Sequence, residues 1–255
     1  MSFERIIPGT IEWDAYYANH IFRYQFALEK LQSTNKSKVL DAACGVGYGA
    51  DYLSRNGIKS LVAIDRNENA LAIATAKFSR ENILYLKDDC LTFEHATQYG
   101  KFDAVVSFET LEHLSKPAAF IKNCYSVLEP KGLFIISTPN ASVTSPGGQT
   151  KWEYHEKEYI PEELKLILKD NGFDRIELYG QCYSQIGSLR KSMRAELNRI
   201  NSNPFARAGR LLQKMKGIRF SAVLPEEVED FKIMPYESFK DNQPFVLIAL
   251  AYKNV

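Results

Sequence analysis

The sequence predicts an α/β fold built on a mostly parallel sheet, and three observations carry that reading. Short apolar runs alternate with helical patterns from about residue 38 to residue 180, the order expected when helices link parallel strands. Several of those runs lead into an acidic residue, as in Val39-Leu40-Asp41, Ala63-Ile64-Asp65 and Val106-Ser107-Phe108-Glu109. After Asp41 comes a small-residue loop, Ala42-Ala43-Cys44-Gly45-Val46-Gly47, whose glycines let backbone N–H groups approach a ligand because no Cβ intervenes.

The elements follow in order. Residues 1–37 form a leading segment with helical character from Tyr16 to Leu31. Strands are expected near 38–42, 60–65, 83–87, 103–108, 132–137 and 174–179, with helices near 48–55, 67–78, 116–128 and 161–170. Pro117 suits the first turn of its helix, where a missing N–H costs nothing, and Lys131-Gly132 marks a turn. Pro161 with Glu162 and Glu163 starts another helix, its acidic groups facing the positive end of the dipole. Phe245 to Leu250 reads as a last sheet strand. The chain then divides into an N-terminal helical cover (1–37), a core (38–184), a basic helical insertion with an acidic linker (185–241) and a final core strand (242–255).

Composition narrows the classes. A chain of 255 residues, 45% hydrophobic, is long enough for one large domain with an insertion. A net charge of +1 argues against a protein that coats polyanions generally, while leaving room for a local basic site. Such a site lies between 185 and 220, where nine basic residues face one acidic residue, Glu196. There Phe205, Ala208, Leu211, Leu212 and Met215 recur at helical spacing. Cys44, Cys90, Cys124 and Cys182 form no CxxC pair and read as reduced thiols of a cytoplasmic protein. No segment approaches the ~20 apolar residues needed to cross a bilayer, and Glu4 and Arg5 stand where a secretory peptide would be apolar.

The series Val39 to Gly49, Leu61 to Asp65, Ile83 to Leu86 with Asp88-Asp89-Cys90, and Phe102 to Glu109 resembles the class I S-adenosylmethionine-dependent methyltransferases, over roughly residues 38 to 180. The resemblance implies a Rossmann-like fold, with a seven-stranded, mostly parallel sheet whose last strand is antiparallel, and S-adenosylmethionine as cofactor. Asp65, 24 residues after Asp41, matches the family's ribose carboxylate. Gly45 and Gly47 would approach the amino-acid end and ribose, and Asp41 the amino group. Asp89 would accept from the adenine amine, with the Cys90 N–H facing a ring nitrogen, and Ser107 joins this set. Ala43 replaces the first glycine of the usual loop. Arg23, in His20-Ile21-Phe22-Arg23-Tyr24, would meet the cofactor carboxylate or else be a solvated helix charge. For Asp65 and Asp89 the plain alternative is turn or cap chemistry. A nicotinamide cofactor would also want an acid after the second strand, but the loop lacks the full GxGxxG spacing.

Methyl transfer to oxygen requires loss of a proton, and the groups for it follow the fourth strand in Glu109-Thr110-Leu111-Glu112-His113. In one reading His113 is a general base, with Glu112 beside it. In the other, Glu109, Glu112 and His113 are ligands of Mg²⁺ or Mn²⁺, on one face of a turn if that turn is helical. This ExxEH element is shared with small-RNA 2′-O-methyltransferases and ubiquinone-pathway O-methyltransferases, and His155 matches a further His of the first set. Glu-His after this strand also occurs in methyltransferases that use no metal.

The segments Ile7-Pro8-Gly9, Ser107-Phe108-Glu109, Ser137-Thr138-Pro139-Asn140 and His155 to Glu163 resemble bacterial surface-glycan methyltransferases. That resemblance implies polysaccharide biosynthesis and a sugar hydroxyl as acceptor, on a glycan or nucleotide sugar. The basic insertion suits a phosphate-bearing acceptor or peripheral membrane contact through residues 187–220, and equally a solvated helix face. The end of a small RNA and a quinone precursor are the other acceptors, and a catalytically silent S-adenosylmethionine-binding partner is the non-enzyme alternative. Tyr48, Trp152 and Tyr154 are aromatic candidates for the pocket border.

Overall fold

A computed structural model describes residues 6–150, 152–202, 226–240 and 243–254. Strands β1 (Lys38–Ala42), β2 (Ser60–Asp65), β3 (Ile83–Lys87), β4 (Phe102–Phe108), β5 (Leu128–Pro139), β6 (Arg175–Tyr183), β7 (Phe231–Pro235) and β8 (Val246–Tyr252) form one sheet ordered β3-β2-β1-β4-β5-β8-β6-β7. Neighbours from β3 to β5 are parallel, whereas β8 runs antiparallel to both β5 and β6. The fold is therefore the Rossmann-like α/β arrangement expected. The helices are α1 (Ile11–Ser33), α2 (Tyr48–Arg55), α3 (Glu68–Phe78), α4 (Pro117–Val127), α5 (Ala141–Thr144), α6 (Pro161–Asp170) and α7 (Gln185–Ser202).

The eighth strand departs from the expected seven. β7 falls in the stretch read as an acidic linker, and its five residues end in proline, as short edge strands often do. The amphipathic helix expected through Phe205, Ala208, Leu211, Leu212 and Met215 lies outside the described residues. No helix among the described residues is long and apolar enough to cross a membrane.

Two compact units divide the chain: one takes Ile21–Cys182 and Ile233–Val255, the other Ile6–His20 and Tyr183–Lys232. The core of the larger unit follows from strand alternation. Leu40, Ala42, Val62, Ile64, Val105, Phe134 and Ile136 share one cluster with Phe120, Ile121 and Cys124 of α4 and Leu164 and Leu168 of α6. Burying a side chain such as Phe120 or Phe134 contributes about 2–3 kcal/mol, and both are fully inaccessible. The alternate residues of β1 face the other way, where the buried Tyr24 of α1 donates its hydroxyl to Asp41 Oδ2 at 3.2 Å.

In the smaller unit the Ser184 hydroxyl accepts the Gly187 N–H at 3.0 Å and so caps the start of α7. The inaccessible Asp230 draws in two of the helix's basic groups, Arg190 Nη1 at 3.0 Å and Arg194 Nη1 at 3.4 Å. Lys191 Nζ lies 4.6 Å from the Tyr183 ring centre. These three cations thus serve the internal structure of the unit. Ile186, Leu189 and Met193 remain more than half exposed.

Strand order reverses between β1 and β4, which opens a crevice outside the carboxyl ends of the strands. Gly49, in the first turn of α2, lets that helix close on α1: a Cβ there would stand 1.9 Å from Tyr24 Cζ. Tyr24 is held by Asp41 and by the Phe108 ring, whose centre lies 4.8 Å away. Gly49→Ala is therefore expected to destabilise the protein by about 1–3 kcal/mol through overpacking. The check is the urea midpoint at constant m-value, and an unchanged midpoint would show that the ring yields freely.

Candidate active site

At the carboxyl end of β1 the chain turns through Ala43 (φ +64°), Gly45 (φ +57°) and Gly47 (φ +87°) into α2. Ala43 holds a left-handed conformation that costs roughly 1–2 kcal/mol for an L-residue with a Cβ, so the expected alanine-for-glycine exchange preserves the loop path at some strain. A Cβ on Gly47 would fall 2.7 Å from both Tyr85 Oη and Ala74 Cβ. The Tyr85 hydroxyl donates to the Gly47 carbonyl at 3.2 Å. Asp65, at the end of β2, secures the loop with both carboxylate oxygens: Oδ2 accepts the Gly45 N–H at 2.9 Å and Oδ1 accepts the Asn67 N–H at 2.8 Å.

Asp41 is fully buried beneath this loop. Burial pushes its carboxyl up from 3.8 to about 7; the Tyr24 hydrogen bond works against that rise, and Asp65 adds to it. The inaccessible Ser107 donates its hydroxyl to the Ala42 carbonyl at 2.8 Å, tying β4 to the start of the loop. Beyond β3, Asp89 is exposed, and its Oδ1 accepts the Leu91 N–H at 2.8 Å. The neighbouring buried Asp88 organises the turn by accepting the Asp89, His95 and Ala96 N–H groups. Cys90 is a buried thiol whose pKa burial drives up. Asp41, Asp65 and Ser107 thus lie in the last residues of β1, β2 and β4, and Ala43, Gly45, Gly47, Asp89 and Cys90 in the loops that follow β1 and β3.

Arg23 is 1% exposed. Its Nη1 donates to Gln181 Oε1 at 3.1 Å, and its charge favours the ionised form of Glu112. The alternative of a solvated helix charge is thereby corrected: the guanidinium is buried, with Gln181 meeting it.

After β4 the backbone passes Glu109 (φ +52°) into a 3-10 turn, Leu111–His113. Glu112, His113 and His155 converge, with one ligand atom from each lying within 4.8 Å of the others. Of the expected four ligands, Glu109 lies outside that group, though its charge acts on Glu112. Its left-handed backbone turns the carboxylate toward β5, where Oε1 accepts the Ser137 hydroxyl at 2.7 Å. The shared face was conditional on a helical turn; the tighter 3-10 turn begins only at Leu111 and leaves Glu109 outside it.

Each remaining group is oriented. Glu112 Oε2 accepts the Thr138 hydroxyl at 3.0 Å, while the buried Oε1 has no hydrogen-bond partner among the described residues and lies 3.8 Å from His113 Nε2. Burial, reinforced by the Glu109 charge, pushes the Glu112 carboxyl well above the usual range, opposed by hydrogen bonds and Arg23. His113 Nδ1 lies 2.8 Å from the Tyr154 carbonyl. A carbonyl only accepts, so Nδ1 carries the proton, and in the neutral imidazole Nε2 keeps the lone pair. His155 Nδ1 meets Glu158 Oε1 at 2.8 Å, and the two imidazole centres are 4.8 Å apart. Burial would raise the Glu158 carboxyl, but hydrogen bonds from Thr144, Ser145 and His155 prevail and hold it below its ordinary value.

Trp152 and Tyr154, expected near a pocket border, are about half exposed in the same loop as His155. Tyr24, Asp88, Thr138 and Glu158 are the residues that the sequence reading missed. Glu158 had a signal, since H-x-x-E spacing puts it three residues from His155. Tyr24 had none, because its partner Asp41 is met only through the α1 packing.

The methyltransferase-domain family matches residues 16–178. A protein of Mycolicibacterium smegmatis described as a probable S-adenosylmethionine-dependent methyltransferase is 33% identical over 172 residues, covering 67% of this chain and 64% of that protein. The chain thus spans somewhat less than two thirds of that relative's length. The ubiquinone biosynthesis O-methyltransferase of Bradyrhizobium diazoefficiens is 28% identical over 177 residues, covering 64% of this chain and 68% of that enzyme. Among solved structures, a SAM-dependent methyltransferase from Thermotoga maritima aligns with a TM-score of 0.59 at 14% identity, over 95% of this chain and 94% of that one, a likeness of fold.

The raised Asp41 carboxyl gives stability a pH dependence. Between 3.8 and about 7 the folded protein keeps a proton that the unfolded chain has lost. Stability from this group is therefore complete below pH ~4 and declines as pH rises through ~7, by up to about 4 kcal/mol. Asp41→Asn is expected to flatten that decline in ligand-free protein, as checked by urea midpoints from pH 4.5 to 8. Parallel profiles for the two proteins would refute it.

Proposed function

Because the chain belongs to the methyltransferase-domain family, we propose that it is an enzyme that methylates a hydroxyl oxygen, that of a sugar in glycan or nucleotide-sugar metabolism, with S-adenosylmethionine as donor. S-adenosylmethionine supplies a methyl group on a sulfonium, ready for in-line displacement, which leaves positioning and proton removal to the protein. In this reading Asp65 accepts from the ribose hydroxyls, and the Gly45–Gly47 backbone lies along the ribose and amino-acid end. Asp41 holds the amino group, Arg23 faces the carboxylate, Ser107 holds the loop, and Asp89 with the Cys90 N–H takes the adenine.

One observation carries the choice of oxygen: the Glu112, His113 and His155 ligand atoms lie within 4.8 Å of one another beyond the end of β4. The donor set fits a divalent cation. Glu112 offers a buried carboxylate oxygen with no hydrogen-bond partner among the described residues, and Nδ1 of each imidazole is already engaged by an acceptor, which puts the lone pairs on Nε2. Mg²⁺ or Mn²⁺ at such a site lowers the pKa of an acceptor hydroxyl and favours acceptors with a second oxygen beside it. Glu112 is held for this role by Thr138, and His113 by the Tyr154 carbonyl. Without a cation, His113 Nε2 is the base that takes the hydroxyl proton.

The sugar acceptor rests on the sequence resemblance to surface-glycan methyltransferases. A quinone-precursor hydroxyl is the second reading, favoured by the likeness to the Bradyrhizobium enzyme. The buried thiols of Cys44, Cys90 and Cys124, which form no disulfide, support a cytoplasmic site of action.

Two measurements test this reading. Calorimetry should show Mn²⁺ binding to the protein saturated with S-adenosylhomocysteine, weakened at least 100-fold (about 2.7 kcal/mol) in His113→Ala and Glu112→Ala. No binding to the unmutated protein would overturn the cation and leave His113 as the base. Asp65→Ala is expected to weaken S-adenosylhomocysteine binding by about 10–100-fold, the loss of hydrogen bonds to a charged acceptor. Unchanged affinity would remove Asp65 from the cofactor site. Methyl transfer to a panel of nucleotide sugars, free glycans and dihydroxylated aromatics then separates the two acceptor readings.

A further inference from the structure

Glu158 stands outside the groups assigned so far, yet it is built into the structure more firmly than the histidine it touches. Its side chain is 1% exposed, against 12% for His155, and Oε1 meets His155 Nδ1 at 2.8 Å. Its other oxygen accepts two hydroxyls, from Ser145 at 2.7 Å and from Thr144. Both hydroxyls come from the short helix α5 and the residue after it. That helix is itself fixed by Asn140, whose Oδ1 accepts the Ser142 N–H at 3.2 Å and whose Nδ2 donates to the Pro244 carbonyl at 2.8 Å. The next residue, Tyr159, is tied to the same place, its carbonyl accepting the Ala141 N–H at 3.0 Å. The Glu158 carboxylate is thus anchored on its far side by elements that continue directly from β5.

A carboxylate anchored in this way accepts, so the nitrogen facing it carries the proton, and in the neutral imidazole the opposite nitrogen keeps its lone pair. We propose that Glu158 is a positioning residue: it fixes His155 as the Nδ1–H tautomer and turns its Nε2 lone pair toward Glu112 and His113. This rests on the cation reading above only for its consequence, which is a ligand pre-oriented before any ion arrives. The tautomer itself is a property of the chain alone. An outer carboxylate of this kind is typically worth 10–100-fold in metal affinity, because an imidazole free to rotate or to change tautomer must be reordered on binding. His113 has a weaker version of the same device, a neutral backbone carbonyl at Nδ1. The two histidines are therefore not equivalent, and His155 is the one held by a charge.

The test needs two readouts on the same proteins. Ring ¹⁵N–¹H correlation spectra at pH 8, without metal, should give a single Nδ1–H tautomer for His155 in the unmutated protein. Glu158→Ala should give a mixture of tautomers, while Glu158→Gln, which retains an acceptor oxygen, should keep most of the Nδ1–H form. Calorimetric titration with Mn²⁺ of the S-adenosylhomocysteine-saturated proteins should rank them in the same order, with Glu158→Ala 10–100-fold weaker and Glu158→Gln in between. An Nε2–H tautomer in the unmutated protein, or Glu158→Ala spectra indistinguishable from it, would overturn the proposal. Should Glu158→Ala not fold, the unmutated spectrum and the Gln variant still decide. Absence of Mn²⁺ binding throughout, with the tautomer pattern as expected, would sink the cation reading and keep Glu158 as the group that sets the lone pair of His155.

Discussion

The Glu112 carbonyl accepts the Glu156 N–H at 2.7 Å and the Lys157 N–H at 3.2 Å, and on these two bonds the arrangement of the candidate site depends. They pin an excursion that leaves β5 at Pro139 and returns only at α6 to the turn that follows β4. His155 immediately precedes the pinned pair, and the Tyr154 carbonyl one residue earlier receives His113 Nδ1. A main-chain contact between segments more than forty residues apart therefore brings the two imidazoles together. The Glu112 side chain is buried, and burial is what drives that carboxyl upward.

The other half of the crevice is organised by carboxylates that receive backbone N–H groups. Asp65 takes two, one from the glycine loop and one from the turn into α3, and Asp88 takes three within its own turn. Asp41 is different. Its hydrogen bond comes from the Tyr24 hydroxyl, and desolvation outweighs that bond and carries the carboxyl to about 7. A carboxyl poised there is ready to ionise for a cationic group and costs stability until one comes. Loop strain follows the same logic, since Ala43 and Glu109 both hold left-handed backbone where the strands β1 and β4 end.

Much of this was legible along the chain because it is local. Asp65 and Gly45 lie at strand ends that apolar runs announce, and the helices α2 and α6 begin and end where glycine, proline and acidic residues indicate. His155 was reachable through resemblance, whereas its partner Glu158 was passed over because it stands among several Glu residues, Glu153, Glu156 and Glu162 included, which blur the H-x-x-E spacing. β7 was missed since five residues before a proline, next to an acidic run, look like linker. The grouping of Glu109 with Glu112 and His113 rested on spacing along a helical turn, whereas the 3-10 turn starts only at Leu111. The positive φ at Glu109 swings its carboxylate to Ser137 instead.

From sequence alone followed the α/β class, the positions along the chain of the strands that build the parallel part of the sheet, and the family resemblance, since these rest on periodicity and on motifs a few residues long. The folded chain decided which side chains share a space. Burial of Arg23 with Gln181, the Tyr24–Asp41 bond, and the meeting of Glu112, His113 and His155 all join segments 17 to 158 residues apart. Such contacts depend on how helices and loops pack over the sheet edge, a cooperative outcome that no local pattern encodes.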